Sequence, residues 1–274
     1  MDTLINFIIV QIKLTFRIKA AFFFTIAFPM IFYGVYVLGI GQGDGSEIMP
    51  VLAALITFVT VSNSIFGVVL PLIMSRENGL FKQYYLTPVN PWQILVARML
   101  TSFIVLCIVL AIQIVLTAVL FGSDLWQKIP SIFIVALLGS LAISSIGCLV
   151  SCLIDSVQAA QIANQITFIV LIVFSGATVP LRYFPHAAVR LFSFLPSTQL
   201  FKAMTGVLVG DETLRGVRID LLGLLFFTLF VFGASLFTFR WDSRTKVGMV
   251  AISSVFVASI CALVVDQVLP LFVS

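Results

Sequence analysis

Charge is what this chain has least of. Asp, Glu, Lys and Arg make up 9% of its 274 residues, against about a quarter in a soluble domain. With 61% hydrophobic residues and a mean hydropathy of +1.20, a water-soluble fold would have to hide nearly everything it has. The solvent implied is lipid, and the chain reads as an all-α integral membrane protein. Histidine is almost missing: His186 stands alone, without the Ser and Asp pattern that a nucleophile, base and orienter would need. The four cysteines, Cys107, Cys148, Cys152 and Cys261, all lie in apolar stretches, which speaks against a disulfide framework. Cys148 and Cys152 are four apart, yet no His or carboxylate joins them as a tetrahedral metal site requires, and packing is the reading. There is no G-x-x-x-x-G-K-[ST] phosphate loop. A net charge of +4 without a basic run gives no reason to expect nucleic acid. Without linkers, low-complexity tracts or a fixed-period repeat, residues 1–274 read as one domain.

What is present is a series of apolar runs at roughly 20–40, 49–74, 93–121, 130–154, 161–180, 219–239 and 247–271, each long enough to cross a bilayer as a helix. Ahead of them, residues 1–19 carry Lys13, Arg17 and Lys19 after an apolar start, the reverse of a signal peptide, and suit an amphipathic interfacial helix. With the N-terminus taken as cytoplasmic, nine Lys and Arg, Arg98 among them, fall on the inner side and six on the outer. The short loop "GIGQGDGSE" after the first run has two acids and no base, which favours that orientation. The connection 181–216, half apolar and punctuated by prolines, is too polar to span and too apolar to dangle. It predicts short external helices dipping into the outer leaflet.

One window breaks the pattern. Residues 75–91 bring Arg76, Glu77, Lys82, Tyr84 and Tyr85 together between Pro71 and Gly79 on one side and Pro88 and Pro91 on the other. The prolines force turns, and "RENGLFKQYY" predicts a short helix on the membrane surface. It is either an ordinary cytoplasmic loop rich in positive charge or a docking helix for a soluble partner. Within the spans, Ser140, Ser144, Cys148 and Cys152 recur every four residues, with Gly147 and Ser151 beside them, a spacing that lets helices approach closely. Gln158, Gln161 and Gln165 share a helix face with Asn164 next to it. Interhelical hydrogen bonds or contact with a transported molecule both fit. Asp155 and Asp266 sit toward span ends, and no span carries a charge near its centre, which argues against an ion-coupled carrier.

"SRENGLFKQYYLTPVNPWQILVARML" (75–100) resembles the signature segment of ABC-2 type ABC transporter permeases. Its elements are Arg-Glu-x-Gly, basic and aromatic residues, Thr-Pro-Val-x-x-Trp-x-x-Leu, then a basic residue entering the third span. "FSGATVPLRYFPHAAVRLFSFLPSTQLFKAM" (174–204) is similar to that family's fifth-span end and the external helices after it. The resemblance covers about residues 1–240. It implies an N-terminal interfacial helix, a six-helix bundle with short re-entrant external helices before the sixth span, and a multi-pass place in the plasma (inner) membrane. It further implies pairing with a second permease copy, identical or paralogous, and with a cytoplasmic ABC ATP-binding subunit that holds ATP and Mg²⁺. No cofactor is expected in this chain. Carried over residue by residue, Arg76, Glu77, Gly79 and Lys82 couple to the ATPase. Gln161, Asn164 and Gln165 are expected to line a pathway for an exported amphipathic or lipid-like compound (drug, peptide, lipid or polysaccharide). Two departures stand out: Leu195-Pro196-Ser197 where the family often has Asn-Pro, and an extra C-terminal run at 247–271 that reads as a seventh span. The competing reading is a non-transporting membrane scaffold or immunity protein.

Overall fold

The computed structural model describes residues 23, 27, 30–35, 48–80, 90–121, 125–154, 156–210 and 212–239, and there is no strand among them. Eight helices carry most of the described chain: α1 (Ile48–Phe66), α2 (Val69–Glu77), α3 (Pro91–Phe121), α4 (Ile129–Leu153), α5 (Val157–Val173), α6 (His186–Phe192), α7 (Pro196–Leu208) and α8 (Arg218–Thr238). In hydrocarbon every backbone N–H and C=O must be satisfied within the chain, and a helix does this segment by segment. Among the described residues, four units are long and apolar enough to cross a membrane: α1 and α2 together, α3, α4 and α8. Helix α5, with 17 residues, rises roughly 26 Å, a little under the hydrocarbon thickness. The expected interfacial helix 1–19 and final run 247–271 lie outside the described residues, as does most of 20–40.

Helix α1 is the bundle's centre, touching α3, α4, α5 and α7. Its sequence explains why. Thr57, Thr60, Ser62, Asn63 and Ser64 would be costly against lipid, and all five are fully buried. Thr57 and Thr60 return their hydroxyls to the carbonyls four residues back, each at 2.8 Å. Helices α3 and α8 instead show lipid-sized side chains outward, among them Val119, Leu120, Leu229 and Phe237. The stripe of small residues on α4 is buried, and other helices approach closely along it. A Cβ on Gly147 would stand 3.2 Å from Val68 Cβ, and Cys152 Sγ lies 3.7 Å from the Ser235 carbonyl of α8.

The second apolar run does not form one continuous helix. It breaks at Gly67-Val68 and resumes as α2, which ends at Glu77. Pro71 has no N–H to give the carbonyl four residues earlier, so Gly67 O loses its helical donor. A side chain supplies the replacement: Arg98 of α3 donates to Gly67 O from Nε at 2.6 Å and also from Nη2. One turn along α3, Ser102 Oγ meets Asn63 Oδ1 at 2.8 Å and Asn63 O at 3.1 Å. Arg98, read from sequence as one of the inner-side charges, is in fact 1% exposed.

At the other end of the bundle, the 181–216 connection contains a short 3-10 turn (Leu181–Tyr183) and helices α6 and α7. Phe174, at the end of α5, stacks on Phe192 of α6 with centroids 4.3 Å apart, and Phe184 meets both rings edge-on. Helix α7 buries Leu200, Ala203, Met204 and Val207 against α1, α4 and α8, leaving Lys202 exposed. Its last carbonyl, Leu208 O, accepts from Lys128 Nζ at 2.9 Å, a cation at a helix C-terminus. Gly139 of α4 is where α7 comes closest: a Cβ there would lie 2.5 Å from Leu200 Cδ1 and 3.1 Å from Cγ. Gly139→Val is therefore expected to loosen α7 at a cost of about 1–3 kcal/mol. Thermal unfolding in detergent, with protease susceptibility at Lys202 as a local readout, checks it.

Candidate functional site

The polar window begins where α2 ends. Asn78 N–H bonds to Met74 O and Gly79 N–H to Arg76 O, both at 3.0 Å. Gly79 then takes φ +73, a left-handed conformation that glycine adopts at no steric cost, and the helix stops. Arg76 and Glu77 thus form the last turn of α2 rather than a separate surface helix. Lys82 lies outside the described residues.

Arg76 and Glu77 diverge. Arg76 is 6% exposed, and its Nη1 donates to Ser151 O at 2.9 Å and Ile154 O at 3.1 Å. Those carbonyls end α4, where the backbone leaves acceptors without helical donors. Glu77 is exposed, and its Oε1 accepts from Val157 N–H, the first amide of α5, at 2.8 Å. Ser156 caps the same helix by accepting from Ala159 N–H at 3.3 Å. The cation therefore sits at a helix C-terminus and the anion at a helix N-terminus, each where the helix dipole favours its sign. Charge and spacing flagged these two residues from the sequence. The carbonyls and amide that receive them, about eighty positions downstream, leave no mark in residue types.

Helix α5 separates the other expected site residues. Gln161 and Gln165 are exposed on one face with Ile162 and Ile166. Asn164 is on the opposite face and fully buried. Its neighbours one turn either way locate it: Ala160 clusters with Val69 and Ile73, and Phe168 meets Phe58 and Phe66 at 5.6 and 5.4 Å. Asn164 therefore lies level with the break between α1 and α2, and neither polar atom of its side chain has a hydrogen-bond partner. A buried amide left so costs about 1–3 kcal/mol. Asn164→Leu, close in volume, is expected to raise the unfolding midpoint; a fall would mean the amide is satisfied after all. Gln113 of α3 is likewise fully buried with both side-chain polar atoms unmatched.

Between α4, α5, α6 and α8 opens a cleft of about 590 Å³, within the range of small-molecule sites. Leu149, Leu153, Val170, Phe192, Phe227 and Val231 line it. Its one hydroxyl, Thr167 Oγ1, is already bonded to Ala163 O at 2.8 Å. Such a cleft suits hydrocarbon and offers water little to bind. Among the described residues, no group of three or more His, Cys, Asp or Glu is placed to hold a metal ion.

No curated protein and no solved structure matches the chain. A family model described as ABC-2 family transporter protein matches residues 41–237. That span takes in every helix α1–α7 and nearly all of α8. A polar end on an otherwise apolar helical bundle, and a family match over most of the chain, give one conclusion: this protein belongs to the ABC-2 family of transporter proteins, as a multi-pass membrane permease component of an ABC transporter.

Proposed function

We propose that this chain is one half of the transmembrane dimer of an ATP-driven exporter, with its N-terminus in the cytoplasm and its ATPase a separate subunit. Membership of the family implies pairing with an ATP-binding subunit; the rest is our reading. The segment 75–91 is the coupling element, with Gly79 and Lys82 toward the ATPase and Arg76 and Glu77 holding the segment to the bundle from behind. The observation that carries this reading is the join between α2 and the turn from α4 to α5: the polar window after the second apolar run is anchored to the ends of two further helices. A push on that window from outside the membrane would be felt by three helices at once. Helices α6 and α7 act as the external re-entrant elements of a six-helix bundle to which 247–271 adds a further crossing. Gln161 and Gln165 belong to the pathway, with Asn164 behind them on the side of α5 that packs against the bundle. The apolar cleft and the scarcity of charge favour an amphipathic or lipid-like cargo.

Co-purification tests this reading. The wild-type permease is expected to carry its ATPase through affinity capture and gel filtration, whereas Lys82→Glu, reversing a charge in the window, is expected to lose most of it. A permease that never retains an ATPase would instead favour a non-transporting scaffold.

A further inference from the structure

We infer that Glu77 and Arg76 are positioning residues that lock the polar window to the turn from α4 to α5, so that a nucleotide-driven displacement of the window is delivered to the first turn of α5. The inference rests on the exporter reading and adds to it a route.

The chemistry of the lock is specific. The C-terminal carbonyls of α4 and the N-terminal amides of α5 are the two sets of backbone groups a helical hairpin leaves open at its turn. Neighbouring residues of a third helix fill both. Arg76 supplies one nitrogen to two carbonyls, Ser151 O and Ile154 O, and Glu77 supplies an oxygen to Val157 N–H. Charge-assisted bonds of this kind are about twice as strong as neutral ones. The two side chains act in opposite senses on the turn, Arg76 holding the end of α4 and Glu77 the start of α5, so the window cannot shift without drawing on both. Apolar packing continues the contact below: Val69 and Ile73 of α2 cluster with Ala160 of α5, against Val150, Ile154 and Val157. Helix α2 and the first turn of α5 thus share a polar lock at the surface and an apolar seam beneath it. Asn164 sits one turn further along that seam, so movement entering α5 at Val157 reaches the break between α1 and α2.

Two substitutions at one position separate this role from a direct salt bridge to the ATPase. Glu77→Gln keeps an oxygen able to accept from Val157 N–H and removes the charge; Glu77→Ala removes both. The measurement is residue-resolved amide exchange on the complex with its ATPase, with and without ATP and orthovanadate. In the wild type, nucleotide is expected to change exchange in the first turns of α5. In Glu77→Ala, the Val157 amide is expected to exchange roughly tenfold faster, with the nucleotide-dependent change in α5 lost. Glu77→Gln is expected to retain both. A Gln variant as defective as the Ala variant would place the charge on the ATPase instead and overturn the inference. So would an Ala variant, or a wild type, whose α5 response does not follow this pattern while the ATPase stays bound. If the wild type binds no ATPase at all, the exporter reading itself falls and takes the inference with it.

Discussion

Replacing Arg98 by Ala is expected to cost about 3–5 kcal/mol and to lower the unfolding midpoint by roughly 10 °C. Two losses add. The first is a large, fully buried side chain whose removal leaves a hole where α3 meets the break at Gly67. The second is the donor set on Gly67 O, a carbonyl that Pro71 has already deprived of its helical partner. Water cannot take the donor's place at that depth, so the carbonyl carries the full desolvation penalty. Arg98→Met separates the two losses, because it fills most of the volume and donates nothing. It is expected to recover roughly half of the stability, and Arg98→Lys somewhat more, since a single ammonium can reach the carbonyl without reproducing the planar fork. Detergent-solubilised thermal unfolding of the three variants gives the order. An Arg98→Met protein as stable as the wild type would mean that the guanidinium is not needed to satisfy the break.

Gly67→Ala strikes the same break from the other side. A Cβ at this position would lie 2.4 Å from Asn63 O and 2.8 Å from Ser102 Oγ, distances no packed methyl tolerates. The first obstacle is backbone and cannot rotate away, so either the α1 helix end or α3 must shift. Overpacking of this kind costs about 1–3 kcal/mol. Because Ser102 also bonds Asn63, the two sites are coupled. Gly67→Ala combined with Ser102→Ala is expected to cost less than the sum of the single changes. Strict additivity would show that α3 does not approach the break as closely as described. Both variants test one idea, that the second apolar run is held bent by α3 and does not merely happen to be bent.

Much of this architecture could be read from residue types. The runs at 93–121, 130–154 and 219–239 fall within a few positions of α3, α4 and α8, because a bilayer demands long uninterrupted apolar helices and leaves few alternatives. The Ser140, Ser144, Cys148, Cys152 stripe announced a closely packed face, since only small side chains permit one. The run at 161–180 was harder. Its helix starts at Val157 because Ser156 and Glu77 cap it there, and it ends at Val173, short of the Ser175-Gly176 pair. Apolar content alone began the expectation inside the helix and carried it past the C-terminal end.

Two of the parts that were not legible share one cause: they are bonds between a side chain and a distant backbone group. Pro71 signalled a broken helix, but nothing in the residues around it names Arg98, 31 positions from Gly67, as the donor that completes it. Arg98 was counted as a charge near water because charges usually are. Arg76 was expected from the resemblance to meet the ATPase, although the carbonyl end of a neighbouring helix satisfies a guanidinium as well as a partner protein would. In α5, Gln161, Asn164 and Gln165 read as one polar patch. The structure splits it, burying Asn164 and exposing the two glutamines, because which side of α5 meets α1 is decided by Phe168 and Ala160, not by polarity. The seven-span reading and the role of Lys82 concern residues outside those described.

The most direct test of the account is ATP hydrolysis by the ATP-binding subunit in lipid nanodiscs, measured with and without this chain. The account predicts that the permease binds the subunit through the 75–91 segment and changes its turnover severalfold, with that change abolished by Lys82→Glu. Hydrolysis at the same rate with and without the chain, in samples where both proteins are present in the same particles, would contradict it.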